Sequence, residues 1–199
     1  MKELDGIDKN DIQRMQSSGF SFDESARSAT FVQTDDAVVQ SRSLYEGVEI
    51  LSVEDALERY PEVRQKYFGA AFREMGREFP TDTQGGYFIR VRKGAQVSIP
   101  LQACLYLKKQ KTRQKVHNIV IAEEGSSVYL ITGCASSTTA GESSHLGISE
   151  FFVERGAYMN FTMIHSWDKD IDVKPMSVTL VDDEATFVSN YVSMKPVRD

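Results

Sequence analysis

The sequence predicts a mainly β protein: a right-handed parallel β-helix (a solenoid of stacked coils) preceded by a small α-helical region. Two observations predict this fold. Strand-like runs rich in Val, Ile, Tyr, Phe and Thr follow one another after residue 84, with no helical pattern between them. The runs also recur at a spacing near 30 residues, as expected of coils that cannot bury their inner faces alone.

Residues 1–83 form the predicted N-terminal region, which we expect to be mainly helical. A short amphipathic helix is predicted at Asp8–Gln16, with Gly19 just beyond its end as a stop. A second helical segment begins at Ser52, whose side chain suits an N-cap, and runs to Phe79. Pro61 lies inside this segment and predicts a break or kink there.

Residues 84–199 form the predicted β-helix core. Its strand-like runs are separated by Gly, Asp and Ser turns. They are Tyr87–Val91, Val97–Ile99, Ala103–Leu107, Asn118–Ala122, Val128–Thr132, Ser149–Val153, Met159–Ile164, Ser177–Val181 and Ala185–Val192.

Four segments of the core share one pattern: FIRVRKGAQVSI, IVIAEEGSSVYL, FFVERGAYMNF and VTLVDDEATFVS. Each has a β run, two charged residues, a Gly or its replacement, a small residue and a second β run. The turn residues Gly94, Gly125, Gly156 and Glu184 are spaced by 31, 31 and 28 residues. Gly suits a backbone with positive φ, so Glu184 is a departure that leaves open a different turn. A β-sandwich is the alternative architecture, since short strands spaced by ~8–12 residues also suit one.

The repeat gives meaning to the two cysteines. Cys134 lies nine residues after Gly125, and His165 lies nine after Gly156. Equivalent positions of adjacent coils stack ~4.7–4.9 Å apart, so Cys134 and His165 are predicted neighbours on one face. An imidazole beside a thiol can lower the thiol pKa and create a nucleophile or a soft-metal ligand. Cys104 is one position out of phase and is expected on the opposite face, as a secondary thiol, unless Pro100 introduces a bulge. For both cysteines the alternative is a small buried hydrophobic residue.

The charge balance argues against a general nucleic-acid binder, because 23 Lys plus Arg stand against 29 Asp plus Glu, a net charge of −6. One basic segment, KKQKTRQK, interrupts this acidic chain and is predicted to be an exposed, hairpin-like loop. Docking of an acidic partner is its functional interpretation, and a solubilising loop is the alternative. The cations of this basic loop are Lys108, Lys109, Lys111, Arg113 and Lys115.

Other signals are absent from the sequence. No apolar run approaches the ~20 residues of a membrane span, and no signal-peptide pattern opens the chain. Two cysteines are too few for a disulfide framework, so a cytoplasmic location is expected. There is no phosphate-binding loop, so ATP hydrolysis by this chain is not expected. The three histidines form no local metal motif, which leaves the identity of any metal ligands open.

Several stretches resemble the SufB/SufD family of scaffold proteins for SUF-type iron-sulfur cluster assembly. They are KYFGAAF, HNIVIAEEGSSVYLITGC, SEFFVERGAYMNFTMIHSW and VTLVDDEA. The resemblance runs from about residue 50 to the end and is strongest between Asn118 and Trp167. It implies an N-terminal helical region followed by a right-handed parallel β-helix.

The resemblance implies a scaffold without enzymatic activity that acts with a SufC-like ABC-type ATPase. Gly133-Cys134 matches the Gly-Cys step of the family, which makes Cys134 the candidate sulfur acceptor, with His165 as a supporting residue. Family members often have Gln-Asn-Trp where this chain has His165-Ser166-Trp167, so the Trp matches and the His does not. A transient iron-sulfur cluster is implied, and two cysteines are too few to hold it on this chain alone.

The sequence stops at Asp199 within the repeat, so we expect an uncapped C-terminal end or a fragment of a longer scaffold. An open β edge can pair with a SufB/SufD-like partner or with a second copy as a homodimer. Two other functions stay open at this point. One is a non-catalytic docking module for an ABC-type ATPase. The other is a carbohydrate-active β-helix enzyme that uses Trp167 with Asp168, Asp170 and Asp172.

Overall fold

Two β-sheets and a few short helices make up the computed structural model, which describes residues 7–194. The sheets form a β-solenoid of about three turns. The helices are α1 (Lys9–Ser17), α2 (Val53–Arg59), α3 (Pro61–Lys66) and α4 (Ala70–Glu74), with a 3-10 turn at Glu24–Ala26. The strands are β1 (Ala29–Thr34), β2 (Ala37–Ser43), β3 (Val48–Ser52), β4 (Tyr87–Val91), β5 (Leu101–Leu107), β6 (Arg113–Ala122), β7 (Ser127–Ser136), β8 (Ser144–Val153), β9 (Tyr158–Ser166), β10 (Asp172–Val181) and β11 (Thr186–Ser193).

Successive strands of the core alternate between the two sheets. Sheet A has the order β11-β9-β7-β5-β1-β2, and sheet B has the order β10-β8-β6-β4-β3. From β4 onward, each coil therefore gives one strand to each sheet, and like strands of successive coils pair in parallel. This topology confirms the predicted parallel β-helix, and the alternative of a β-sandwich is wrong.

The solenoid begins before residue 84, which corrects the predicted division of the chain. Residues 29–52 contain three strands that the sequence analysis did not predict. β1 pairs in parallel with β5, so it is a layer of sheet A, and β2 lies antiparallel at the edge beyond it. β3 pairs antiparallel with β4 and forms the edge of sheet B. The N-terminal region is therefore part helix and part of the sheets.

The caps and the break of the helices lie where the sequence indicates, but the last helix ends early. Asp8 caps α1 by accepting a hydrogen bond from Asp11 N, and Ser52 caps α2 by accepting one from Asp55 N. The predicted break at Pro61 is confirmed, since α2 ends at Arg59 and Pro61 is the first residue of α3. The helical segment ends at Glu74, earlier than the predicted Phe79.

One turn recurs at all four repeat positions. Gly94, Gly125 and Gly156 have φ of 71°, 66° and 66°, and Glu184 has φ of 59°. Each sits third in a turn closed by a backbone hydrogen bond, such as Ser126 N to Glu123 O. Glu184 therefore does not mark a different turn: it adopts the left-handed backbone that glycine adopts in the other coils.

Replacing Glu184 with glycine is expected to stabilise the fold by about 1 kcal/mol, because a residue with a Cβ is strained at positive φ. The ion pair lost, Glu184 with Arg155, is exposed on both sides and contributes little. Chemical unfolding of Glu184→Gly beside Glu184→Ala measures this difference. Equal stability of the two variants would contradict the strain.

The hydrophobic core lies inside the solenoid, between the two sheets. Side chains at alternate positions of each strand point inward. Examples are Val116, Val120 and Ala122 of β6 and Val128 and Leu130 of β7. The outer face of sheet B is covered by α2 to α4, and part of the outer face of sheet A is covered by α1. Polar side chains occupy the interior beyond this apolar part, and they form the candidate site.

Candidate functional site

Cys134 occupies the middle of a column of side chains inside the solenoid. Its strand partner on β5 is Leu105, and its partner on β9 is His165. The predicted stacking of Cys134 and His165 is thus confirmed. Both residues are buried, and Cys134 belongs to the core cluster. The repeat therefore places a thiol and an imidazole side by side in an interior otherwise dominated by apolar residues.

Cys104 faces the other way, as its phase predicts. It pairs with Gly133, one position from Cys134, and no bulge interrupts the register of β5 and β7. Its side chain packs with Met15 of α1 and with Val32 on the outer face of sheet A. Both cysteines are free thiols. They are separated by the sheet itself, so they are not two halves of one site.

Burial keeps the groups of the column uncharged. Desolvation raises the pKa of Cys134 well above its ordinary value, and the nearby Cys104 adds to this shift. Burial likewise raises the pKa of Cys104 to about 12. Burial lowers the pKa of His165 to about 4. Burial thus opposes the expected lowering of the Cys134 pKa by His165 and favours a neutral thiol beside a neutral imidazole.

Polar and aromatic side chains surround His165. Its Nδ1 lies 2.7 Å from the Tyr191 hydroxyl, and its ring contacts that of Trp167 with centroids 5.8 Å apart. The Trp167 ring also contacts His145, with centroids 4.8 Å apart. His145 Nδ1 lies 2.7 Å from Gln114 Oε1, and burial, with a smaller contribution from His165, lowers the pKa of His145 to about 3.

The sequence analysis missed Tyr191 and His145, although the repeat contains a signal for the first. Tyr191 pairs with Met163, and Met163 pairs with Thr132. The spacings in this second column are 31 and 28, the same as for the turn residues Gly125, Gly156 and Glu184. Adding the 28-residue spacing to Met163 gives Tyr191, so counting one coil further predicts that Tyr191 lies near His165.

A cavity of about 220 Å³ opens beside the column. Its lining includes His165, Tyr191, His145, Met163 and Leu105, and it continues between β8, β9, β10 and β11. Leu105 and His165 are the two strand partners of Cys134. The cavity therefore borders both neighbours of Cys134, which is not itself a lining residue.

The basic loop differs from its predicted form. Only residues 108–112 connect β5 of sheet A to β6 of sheet B, and residues 113–115 are the start of β6, so the segment is a crossing between sheets and not a hairpin. Four of its cations lie beside carboxylates of this chain: Lys108 with Asp11, Lys109 with Asp36, Lys111 with Glu142 and Lys115 with Asp82. Arg113 is exposed at the first position of β6. These ion pairs reduce the net positive charge that the loop offers to an acidic partner, and docking there stays a prediction.

Trp167 does not form the exposed platform that a sugar-binding site needs. Its side chain is 1% exposed and lies between the two histidine rings. Asp168 is hydrogen-bonded through its backbone to Ser136 Oγ and lies 3.6 Å from Arg14. The geometry thus removes the basis for the carbohydrate-active alternative.

Residues 7–194 contain no group of three or more His, Cys, Asp or Glu side chains placed to hold a metal ion. No helix in this part of the chain has the length and apolar character needed to cross a membrane.

A second buried polar cluster lies on the outer face of sheet B, and the sequence analysis did not predict it. Glu150 Oε1 lies 2.7 Å from His117 Nε2 and accepts a hydrogen bond from Gly69 N at 2.6 Å. Its other oxygen accepts a hydrogen bond from Ala71 N at 2.8 Å. Phe68 packs on the His117 ring, with centroids 4.6 Å apart. This cluster fastens α4 to the sheet and is a structural clamp.

Comparisons with known proteins agree with the fold. The profile of the family described as "SUF system FeS cluster assembly, SufBD core domain" matches residues 105–196. A relative named "Iron-sulfur cluster assembly SufBD family protein" from Archaeoglobus fulgidus is 46% identical over 198 residues, which is 97% of this chain and 52% of the relative.

Two further relatives carry the same family name. The one from Methanothermobacter thermautotrophicus is 35% identical over 183 residues, 88% of this chain and 45% of its own length. The one from Pyrococcus horikoshii is 27% identical over 203 residues, 98% of this chain and 43% of its own length. The chain spans about half the length of the curated relatives it matches. Its fold, its repeat and these matches together lead to one conclusion: the chain belongs to the SufBD family.

Proposed function

We propose that this chain is part of a non-enzymatic scaffold for iron-sulfur cluster assembly, and that Cys134 accepts sulfur. Membership of the SufBD family supports the general role. The observation that supports the specific role is the column of Leu105, Cys134 and His165 beside a cavity of about 220 Å³. A buried thiol whose strand partners line a cavity differs from a cysteine that only fills space in a closed apolar core.

The proposed step is a transfer of sulfur between thiols. The sulfur of Cys134 attacks the outer sulfur of a donor persulfide and forms a new S–S bond. The S–S bond of the donor breaks, and the donor leaves as a thiol with the proton of Cys134. No oxidant is needed, because the outer sulfur moves from one thiol to another without a net change of oxidation state.

Burial of Cys134 suits a carrier of reactive sulfur. A protonated, enclosed thiol is protected from oxidation, which requires thiolate character and access. The donor must therefore reach Cys134 by way of the cavity or after a local opening of the coils. The cavity borders both strand partners of Cys134, which supports it as the route of the donor.

The iron-sulfur cluster is the cargo of this scaffold. Clusters prefer cysteine thiolate ligands, and this chain has two cysteines on opposite faces of a sheet. We therefore propose that a further chain or segment of the assembly completes the cluster ligands. A SufC-like ABC-type ATPase and a second SufBD-type chain are the proposed partners.

Sulfur loading tests the role of Cys134. The chain is treated anaerobically with glutathione persulfide, and bound sulfane sulfur is released with cyanide and measured as thiocyanate. Cys134→Ala is expected to lose at least ~10-fold of this sulfur, because the accepting thiol is gone. Cys104→Ala removes the other buried thiol and is the matched control, expected to load as the unaltered chain does. If Cys134→Ala takes up as much sulfur as the unaltered chain, the proposed role is wrong.

A further inference from the structure

Two buried nitrogen atoms next to the column lack a hydrogen-bond partner among the described residues: His165 Nε2 and Trp167 Nε1. Both residues are 1% exposed. Buried polar atoms are nearly always paired in folded proteins, so each exception calls for an explanation. The indole Nε1 of Trp167 is always a donor, which means that this part of the interior offers at least one unused N–H.

Tyr191 contacts Nδ1 of His165 and can fix which ring nitrogen carries the proton. Its hydroxyl lies 2.7 Å from Nδ1, and burial raises the pKa of Tyr191, so the hydroxyl stays protonated. A hydroxyl that donates to Nδ1 leaves the proton of the neutral imidazole on Nε2. His165 then presents Nε2–H as a second unused donor, and the two donors come from rings that contact each other.

The space for an acceptor lies beside Cys134. The cavity borders Leu105 and His165, between which the register places the thiol. An added sulfur atom extends a cysteine by an S–S bond of ~2.0 Å. A persulfide on Cys134 would thus carry its outer sulfur among the strand partners of Cys134, Leu105 and His165, both of which line the cavity.

The residues that line the cavity determine which kind of hydrogen-bond acceptor fits there. Among the residues of the described part of the chain that line this cavity, there is no carboxylate, lysine or arginine. The titratable groups that face Cys134 are Tyr87, Tyr191 and His165, with His145 on the far side of Trp167. All are neutral near pH 7, so the surroundings offer dipoles and no counter-charge. A small anion that accepts two N–H bonds fits these surroundings.

We propose that His165 Nε2–H and Trp167 Nε1–H form a donor pair that binds the outer sulfur of a persulfide anion on Cys134, with Tyr191 fixing the His165 tautomer. This proposal rests on the proposed role of Cys134 as sulfur acceptor. In the balanced step, Cys134–SH and a donor R–S–S⁻ give Cys134–S–S⁻ and R–SH. The S–S bond of the donor breaks, the new one forms at Cys134, and the negative charge moves to the outer sulfur, where the donors are.

The ionisation of the bound persulfide tests the donor pair. The Cys104→Ala chain, which has one thiol, is loaded with glutathione persulfide, and the near-UV absorbance of the persulfide anion is followed as a function of pH. His165→Leu and Trp167→Phe each remove one donor and are expected to raise the persulfide pKa by about one unit, a tenfold change in ionisation. His165→Gln keeps a side-chain N–H and is expected to retain a pKa close to that of the parent.

A measurement on the chain with His165 and Trp167 unaltered keeps the proposal testable if the variants fail to fold. Trp167 is the single tryptophan of the chain, so its indole N–H gives one unambiguous NMR resonance. Loading of Cys134 is expected to shift this resonance downfield, and ¹⁵N spectra are expected to show the Nε2–H tautomer of His165. An unchanged indole resonance on a loaded chain would overturn the donor pair.

The outcomes separate this proposal from the one on which it rests. If Cys134 carries sulfur but both variants keep the parental persulfide pKa, the donor pair is wrong and the sulfur acceptor stands. If the unaltered chain takes up no sulfur at Cys134, both proposals are wrong. A raised pKa in His165→Leu and Trp167→Phe, with His165→Gln unchanged, is the result expected from the donor pair.

Discussion

Replacing Glu150 with alanine is expected to destabilise the fold by about 3–5 kcal/mol, the cost typical of removing one partner from a buried charged contact. The carboxylate accepts hydrogen bonds from Gly69 N and Ala71 N and contacts His117 Nε2, all within 2.8 Å. Each of the three groups left without an acceptor costs ~1–3 kcal/mol when it stays buried. The variant relieves part of this cost by releasing α4 from the sheet.

Chemical unfolding measures the loss, and hydrogen exchange locates it. The amides of Gly69 and Ala71 are expected to exchange faster in Glu150→Ala than in the parent, because α4 opens more often. Glu142→Ala is the matched control. That glutamate is 77% exposed beside Lys111, and its removal is expected to change stability by less than ~0.5 kcal/mol. Parental stability and exchange in Glu150→Ala would show that the carboxylate does not hold α4.

Replacing Gly86 with alanine is expected to cost a similar amount, about 3–5 kcal/mol, for a steric reason. Gly86 has φ of 108°, and a Cβ there would lie 2.2 Å from His117 O and 2.8 Å from His117 N. These are backbone atoms of β6, which cannot move without breaking the ladder of sheet B. Overpacking of this kind costs ~1–3 kcal/mol, and a strained backbone adds ~1–3 kcal/mol.

Gly125→Ala separates the two contributions. Gly125 also has positive φ, 66°, but a Cβ there meets no atom within 4 Å. This variant therefore pays only the backbone strain and is expected to lose about 1 kcal/mol. Unfolding curves of both variants against the parent measure the difference. Equal losses at the two positions would mean that the close approach at Gly86 is relieved at little cost.

The repeat made much of the site predictable. A period of 31 and then 28 residues identifies equivalent positions in successive coils, and parallel pairing places those positions side by side. This is why the contact between Cys134 and His165, and the opposite orientation of Cys104, follow from counting. The same counting reaches Tyr191, which lies one coil further along a neighbouring column.

The N-terminal strands were not predictable in the same way. β1 pairs with β5 far along the chain, and β3 pairs antiparallel with β4, outside the repeat. Residues 29–52 contain no Gly turn at the period of the core, and their apolar runs suit several structures. Their place in the sheets depends on partners that a local pattern does not identify.

The solenoid, its turns, the helix boundaries near Ser52 and Pro61, and the stacking of Cys134 with His165 could be predicted from the sequence, because each depends on local chemistry or on a fixed period. The electrostatic state of the site could not, because it depends on how the folded chain buries the groups. Whether His165 activates Cys134 depends on solvent exclusion, and burial leaves both groups neutral. The pairing of the basic loop with carboxylates and the clamp at Glu150 were likewise decided by the tertiary structure, since distant segments come together only in the folded chain.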